Sequence, residues 1–189
     1  MKELGEYMNI LIINGHPDAL SFTSKIAKKV FDKSLIKNPQ TEILNLYDLV
    51  FNPIFKGFTD TQELEPDLKL AQEKLKWADH IVITTPIWWS TYPALLKGFF
   101  DRTLLPGFAF RYHKGKAIQE KLLVNKTAEL ILLSDAPIWY RVFFQKDPAA
   151  KILKRDILGF CGINVKKIKR IGEVGKLSKE QREKILSKI

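Results

Sequence analysis

Three stretches of the 189-residue chain set out side chains that could do chemistry on a ligand. The first, Gly15-His16-Pro17-Asp18-Ala19-Leu20-Ser21-Phe22-Thr23, puts an imidazole and several hydroxyls in a polar loop just ahead of a helix. Free N–H groups and the dipole at such a helix start favour an anion, and His16, Ser21 and Thr23 add side-chain donors for phosphate oxygens. Ser21 or Thr23 equally suits an ordinary helix cap. The second stretch, Pro86-Ile87-Trp88-Trp89-Ser90-Thr91-Tyr92, carries three large aromatics that either hold a flat ligand or cover the end of a sheet. The third, Ser134-Asp135-Ala136-Pro137-Ile138-Trp139-Tyr140, repeats small polar residues followed by two aromatics. Neither G-x-G-x-x-G nor G-x-x-x-x-G-K-[ST] occurs, so the phosphate loop matches neither the Rossmann fingerprint nor the P-loop.

Each stretch follows an apolar, β-branched run. Ile81–Thr85 reads as a strand buried on both faces of a parallel sheet, Asn9–Asn14 as the first buried strand and Lys126–Leu133 as the fourth strand. Thr41–Leu46 and the lysine-decorated Asn164–Ile171 add two more strands. Between them lie helical patterns: Ile26, Ala27, Val30, Phe31 and Leu35; Asp67–Trp77; Pro93–Arg102, with Pro93 at its first position; and Ala149–Ile157. A last helix begins at Ser178, with Gln181 at capping-box spacing. Tyr47–Pro66 is a long connection, and Leu104–Asn125 is irregular apart from a short hairpin around His113–Gly115. The alternation predicts one doubly wound α/β domain: a five-stranded parallel sheet in the order 2-1-3-4-5, with right-handed crossovers and helices on both faces. Ligands of such sheets sit outside the carboxyl ends of the strands, where the first and third strands part. The phosphate loop and the aromatic loop thereby become neighbours, and phosphate plus a flat ring describes a flavin mononucleotide head.

Composition narrows the classes. With 46% hydrophobic residues and no low-complexity tract, the chain has the makings of a single globular core. No apolar run reaches the length of a membrane span, and the polar start Met1–Tyr7 predicts a cytoplasmic protein. Thirty-one Lys plus Arg against twenty-one Asp plus Glu give +10, much of it late, at Lys151, Lys154, Arg155, Lys166, Lys167, Lys169, Arg170 and Lys176. Without a zinc finger, an RNP-like segment or aromatic-basic interleaving, a solvated surface explains that excess better than nucleic acid does. The single cysteine, Cys161, excludes an internal disulfide and reads as structural; His16, His80 and His113 have no metal-ligand spacing.

The same segments resemble the flavodoxin-like NAD(P)H:quinone oxidoreductases of the DT-diaphorase type, especially their small bacterial members. Gly15-His16-Pro17 with Ser21-Phe22-Thr23 is similar to that family's flavin phosphate loop, which often has Asn in place of Thr23. Pro86-Ile87-Trp88-Trp89, Pro93–Arg102 and Gly107-Phe108-Ala109-Phe110 match in order and spacing. Ser134–Pro137 stands where larger members have Thr-Thr-Gly-Gly. The resemblance implies bound FMN, with FAD used by larger relatives, and NAD(P)H as co-substrate. It implies hydride transfer through the flavin to a quinone, with azo or nitro compounds as other acceptors. It further implies a homodimer whose partner completes the site. It places His16, Ser21, Phe22 and Thr23 at the phosphate, Pro86, Ile87, Trp88, Trp89 and Ser90 at the ring, and Ser134 and Asp135 along its edge. Tyr140 is expected to face the substrate, or else to pack at a helix start. Some relatives are ancillary subunits of potassium-efflux systems, which gives a regulatory alternative.

Overall fold

The computed structural model describes residues 7–58 and 63–189. The polar start up to residue 6 and residues 59–62 of the Tyr47–Pro66 connection lie outside the described residues. In chain order the elements are β1 (Ile10–Asn14), α1 (Phe22–Lys37), β2 (Thr41–Asn45), α2 (Pro66–Trp77), β3 (His80–Pro86) and α3 (Ala94–Thr103). A hairpin of β4 (Phe110–Arg111) and β5 (Glu120–Lys121) follows, then β6 (Thr127–Leu133), α4 (Pro148–Lys151), α5 (Gly159–Cys161), β7 (Asn164–Ile171) and α6 (Lys179–Ser187). The main sheet is parallel throughout, in the order β2-β1-β3-β6-β7. Setting aside the β4-β5 hairpin, whose loop contains His113–Gly115, this is the expected 2-1-3-4-5 order.

Strand alternation splits the interior into two layers. Leu11, Ile13, Ile81, Ile83, Leu130 and Leu132 turn to one face and pack with Leu68 and Leu75 of α2 and Leu96 and Phe99 of α3. Ile12, Val82, Ile131, Leu133 and Ile171 turn to the other, against Phe22, Ile26 and Ala27 of α1 and Ile185 and Leu186 of α6. Both faces are therefore covered, as near-continuous apolar strands require. The chain runs from β1 to β2 and then crosses to β3 on the other side of β1. That reversal opens the sheet at the carboxyl ends of β1 and β3.

Two expectations shift in detail. Pro93 is the N-cap of α3 rather than its first helical residue. The expected helix over Ala149–Ile157 spans residues 148–161 and is interrupted by π-helical backbone at Ile152–Leu158. The capping box of α6 forms as its spacing predicts, with Gln181 N–H donating to Ser178 Oγ and Ser178 N–H to Gln181 Oε1. Cys161 is buried, and burial pushes its thiol up to about 11 against the pull of Lys121, which leaves it protonated and inert. Among the described residues no helix is long and apolar enough to cross a membrane.

Candidate functional site

At the carboxyl ends of β1, β3 and β6 lies a cavity of about 210 Å³. Its walls include His16, Ser21, Phe22 and Thr23 from the first loop, Pro86, Ile87 and Trp88 from the second, and Ser134 and Asp135 from the third. Three segments far apart in sequence thus meet at one place, as the topology requires.

The first loop is braced from beneath. Gly15 N–H donates to Thr84 O at 2.8 Å, and a Cβ at Gly15 would stand 2.9 Å from Leu96 Cδ2 and 3.2 Å from Thr84 O, so a larger residue here would push the Leu96 side chain aside and crowd the end of β3. Asn14 Nδ2 donates to Ser24 Oγ at 3.0 Å, and Asn14 Oδ1 accepts from His16 N–H at 3.2 Å. Leu20 N–H bonds Asp18 Oδ1 at 2.9 Å, an Asx turn that shapes the approach to the helix. Ser21 is the N-cap of α1: its Oγ accepts from Ser24 N–H at 3.1 Å. With Ser24 N–H so occupied, the N–H groups of Phe22 and Thr23 find no acceptor among the described residues. The Thr23 hydroxyl also has no partner there, although the residue is only 3% exposed. Two aligned amides and a hydroxyl at a helix start make an anion cradle.

His16 contributes a defined donor. Asp18 N–H donates to its Nδ1 at 2.9 Å, so the neutral ring carries its proton on Nε2. Burial holds its pKa below the ordinary histidine value, with nearby Asp18 opposing, which keeps the ring neutral at pH 7. The His16 ring meets Trp88 edge-on, with centroids 5.5 Å apart.

The second loop is a tight turn. Trp88 and Thr91 exchange two backbone hydrogen bonds at 2.9 Å, with Trp89 and Ser90 between them at positive φ. Ile87 N–H is bound to Leu133 O at 2.7 Å and Trp88 N–H to Thr91 O. Pro86 has no N–H, so the donors this turn leaves for a ligand are those of Trp89 and Ser90. The Trp89 side chain is 99% exposed at the tip, and neither Trp89 nor Ser90 lines the cavity. Tyr92 covers the sheet end: it is buried edge-on against Phe100, and burial, with Asp101 adding to it, pushes its pKa up to about 12.

The third loop is occupied with its own fold. Ser134 Oγ donates to Ala136 O at 3.0 Å, Ser134 O accepts from Val174 N–H at 3.1 Å, and Asp135 Oδ1 accepts from Gly175 N–H at 2.7 Å. These bonds tie the end of β6 to the turn after β7. Tyr140 lies outside the cavity wall, in π-helical backbone at Tyr140–Phe144, its ring stacked on Phe144 at 5.8 Å.

One residue at the cavity has no motif in the sequence to mark it. Arg182, on α6, reaches across with its guanidinium carbon 5.3 Å from the centre of the Phe22 ring, while Nε and Nη2 donate to Leu177 O and Val174 O. It brings the cavity its one arginine, and only the packing of α6 on α1 brings it there. Leu133 and Val174 complete the wall.

A family model of the flavodoxin-like fold matches residues 8–189. An uncharacterised NAD(P)H oxidoreductase of Haemophilus influenzae is 27% identical over 95% of this chain and 91% of its own length. An FMN-dependent NADH:quinone oxidoreductase of Clostridium beijerinckii is 32% identical over 79% of this chain and 77% of its own. The crystal structure of Smu.1420 from Streptococcus mutans superposes with a TM-score of 0.81 at 34% identity, covering 96% of both chains. The chain belongs to the flavodoxin-like fold family, among its NAD(P)H:quinone oxidoreductases.

Proposed function

We propose that this chain is a flavin-dependent NAD(P)H oxidoreductase that holds FMN at the cavity and reduces a quinone. The observation that carries the reading is the pair of N–H groups of Phe22 and Thr23, without an acceptor among the described residues, set with the Thr23 hydroxyl and the Arg182 guanidinium around one cavity. A single anion corner suits a terminal monophosphate, which favours FMN over FAD. His16 Nε2–H adds a neutral donor beside it.

Bound there, FMN would supply the relay that takes a hydride equivalent from NAD(P)H and passes it to the acceptor. The protein's own task is to bind and orient. Trp88, held edge-on by His16, would wall the ring, and the Trp89 and Ser90 N–H groups would bond its edge. Ser134 and Asp135 keep the facing loop in place through Val174 and Gly175. Tyr140 would act from the acceptor side, standing on Phe144 beyond the end of β6. The cavity, at about 210 Å³, is smaller than the roughly 300 Å³ or more of a complete ligand pocket. The rest of the ligand must lie against the open ledge of the aromatic loops. Trp88, Trp89, Trp139, Phe143 and Phe144 are all exposed beyond the ends of the adjacent strands β3 and β6. A second copy of the chain would cover them and close the site.

Purified protein mixed with FMN should bind it stoichiometrically and oxidise NADH or NADPH on addition of a benzoquinone. Protein that takes up neither FMN nor FAD would overturn the reading. Sedimentation of the FMN-loaded protein should give a dimer; a monomer with full turnover would remove the second copy from the site.

A further inference from the structure

A second concavity lies at the opposite end of the sheet, between the last turns of α1 and α6, with a volume of about 350 Å³. Five ammonium groups rim it: Lys33 and Lys37 from α1, Lys167 and Lys169 from β7, and Lys188 just past α6. Its floor is apolar sheet surface, Ile10, Val82 and Ile131. Ile10 opens β1 and Gly15 follows its end, so the two sites lie roughly 16 Å apart along the strand. Nothing in the proposed reaction uses this groove.

Its electrostatics are lopsided. The one acidic side chain among its described walls is Glu129, paired with Lys167 at 3.1 Å; the other four lysines form no ion pair with an acidic side chain among the described residues. His80, also in the wall, bonds Thr127 Oγ1 through Nδ1 at 2.7 Å, and burial lowers its pKa against the pull of Glu129, so it adds no charge at pH 7. Burial, and then the neighbouring charges of Lys167 and Lys33, depress the Lys169 pKa, with Glu129 opposing. Lysines that crowd one another in this way are relieved by an anion. The carboxyl ends of α1 and α6 point here and disfavour one, by about 0.3–1 kcal/mol each at low salt. Full ammonium charges at close range outweigh those partial charges.

We propose that this groove is a second binding site, for a small organic phosphate whose flat or apolar body rests on the Ile10, Val82 and Ile131 floor while its phosphates meet the lysine rim. A lone carboxylate would leave most of the rim uncompensated, whereas a nucleoside di- or triphosphate brings charge of the same order. Lysine serves as a point-charge partner for phosphate. The volume falls within the range of small-molecule pockets, about 300–1,000 Å³. A nucleic-acid strand fits less well, because the walls carry no aromatic platform and the lysines line a concavity rather than an extended stripe.

The test is calorimetric titration of FMN-loaded protein with ATP, inorganic pyrophosphate and adenosine, which separates body from head. ATP should bind saturably, pyrophosphate more weakly and adenosine alone not at all. Lys33 and Lys37 are exposed, so K33E/K37E should fold, keep its FMN content and lose ATP affinity about tenfold or more. K169Q should weaken ATP in the same direction, and R182Q, at the FMN cavity, should leave it unchanged. Absence of saturable ATP binding, ATP affinity indifferent to K33E/K37E, or loss in R182Q instead would overturn the site. Equal affinity for pyrophosphate and ATP would overturn the role of the floor. A single-stranded oligonucleotide that binds more tightly than ATP and is lost in K33E/K37E would replace the small phosphate with nucleic acid.

Discussion

Arg102 Nη2 and Glu65 Oε2 meet at 2.7 Å across 37 residues of chain. Arg102 is 1% exposed; its Nη1 donates to Asn52 O at 2.5 Å and Glu65 Oε1 at 3.2 Å, and its Nη2 also donates to Glu63 O at 3.1 Å. A single guanidinium thereby fastens the long Tyr47–Pro66 connection to α3, whose other end abuts the aromatic loop. Substituting Arg102→Ala leaves a carboxylate and two carbonyls without their donor, so unfolding in urea should show a loss of about 3 kcal/mol. Acid titration isolates the carboxylate. Burial alone would raise the Glu65 pKa, but the Asn52 N–H and Arg102 hold it below its usual 4.5. A depressed folded pKa contributes stability that is full above the unfolded value and is lost as pH falls through the folded one. Wild-type stability should therefore decline below about pH 4.5, and Glu65→Gln should flatten that part of the decline.

Ser21 and Thr23 lie two residues apart and should separate in experiment. Ser21 Oγ is committed to the cap, accepting from Ser24 N–H and bonding Ser24 Oγ at 2.9 Å. Ser21→Ala should cost about 1 kcal/mol of stability, read by thermal melting, and act on FMN only through a frayed helix start. The Thr23 hydroxyl has no such duty. Thr23→Val keeps the shape, so the melting curve should scarcely move while FMN affinity falls about tenfold, the loss of one hydrogen bond to a charged group. If Thr23→Val retained FMN as tightly as wild type, the hydroxyl would not face the phosphate.

Arg182 is tested by charge. Arg182→Gln retains donors for the Val174 and Leu177 carbonyls but removes the positive charge above Phe22. FMN affinity should fall, and its dependence on ionic strength should become shallower, because one screened attraction has gone. Titrations at low and high salt read both effects. An unchanged salt slope would confine Arg182 to holding the turn before α6.

These contrasts mark what the sequence can and cannot express. The strands were legible because each is a bounded β-branched run, and the order followed from alternation with helices. The three loops were legible because small polar and aromatic residues follow strand ends directly. Arg182 was not, since its place depends on the docking of α6 on α1 and not on any local pattern. Nor was the π-helical backbone at Tyr140–Phe144, which carries Tyr140 onto Phe144 rather than to the cavity wall. The late lysines were legible as charge but not as a groove: Lys167 and Lys169 join Lys33 and Lys37 only once β7 and α1 share a face.

The turn at Trp89 and Ser90 holds two non-glycine residues at φ 51 and 62, between the paired Trp88 and Thr91. Two-residue turns of this hand are ordinarily built from Asn-Gly, because other L-residues carry a steric penalty in the left-handed region. Here the penalty is retained together with an indole that is 99% exposed, at the end of the strand that leads into the cavity. Strain kept beside a functional site points to a side chain required for its own sake. Replacing the pair by Asn-Gly should raise stability by about 1–2 kcal/mol in urea melts. The same variant should bind FMN yet turn over quinone more slowly and dissociate more readily in sedimentation, because Trp89 is the surface that acceptor or second copy would cover. A variant that is both more stable and fully active would show the indole to be dispensable, and a less stable one would show that the turn is not strained.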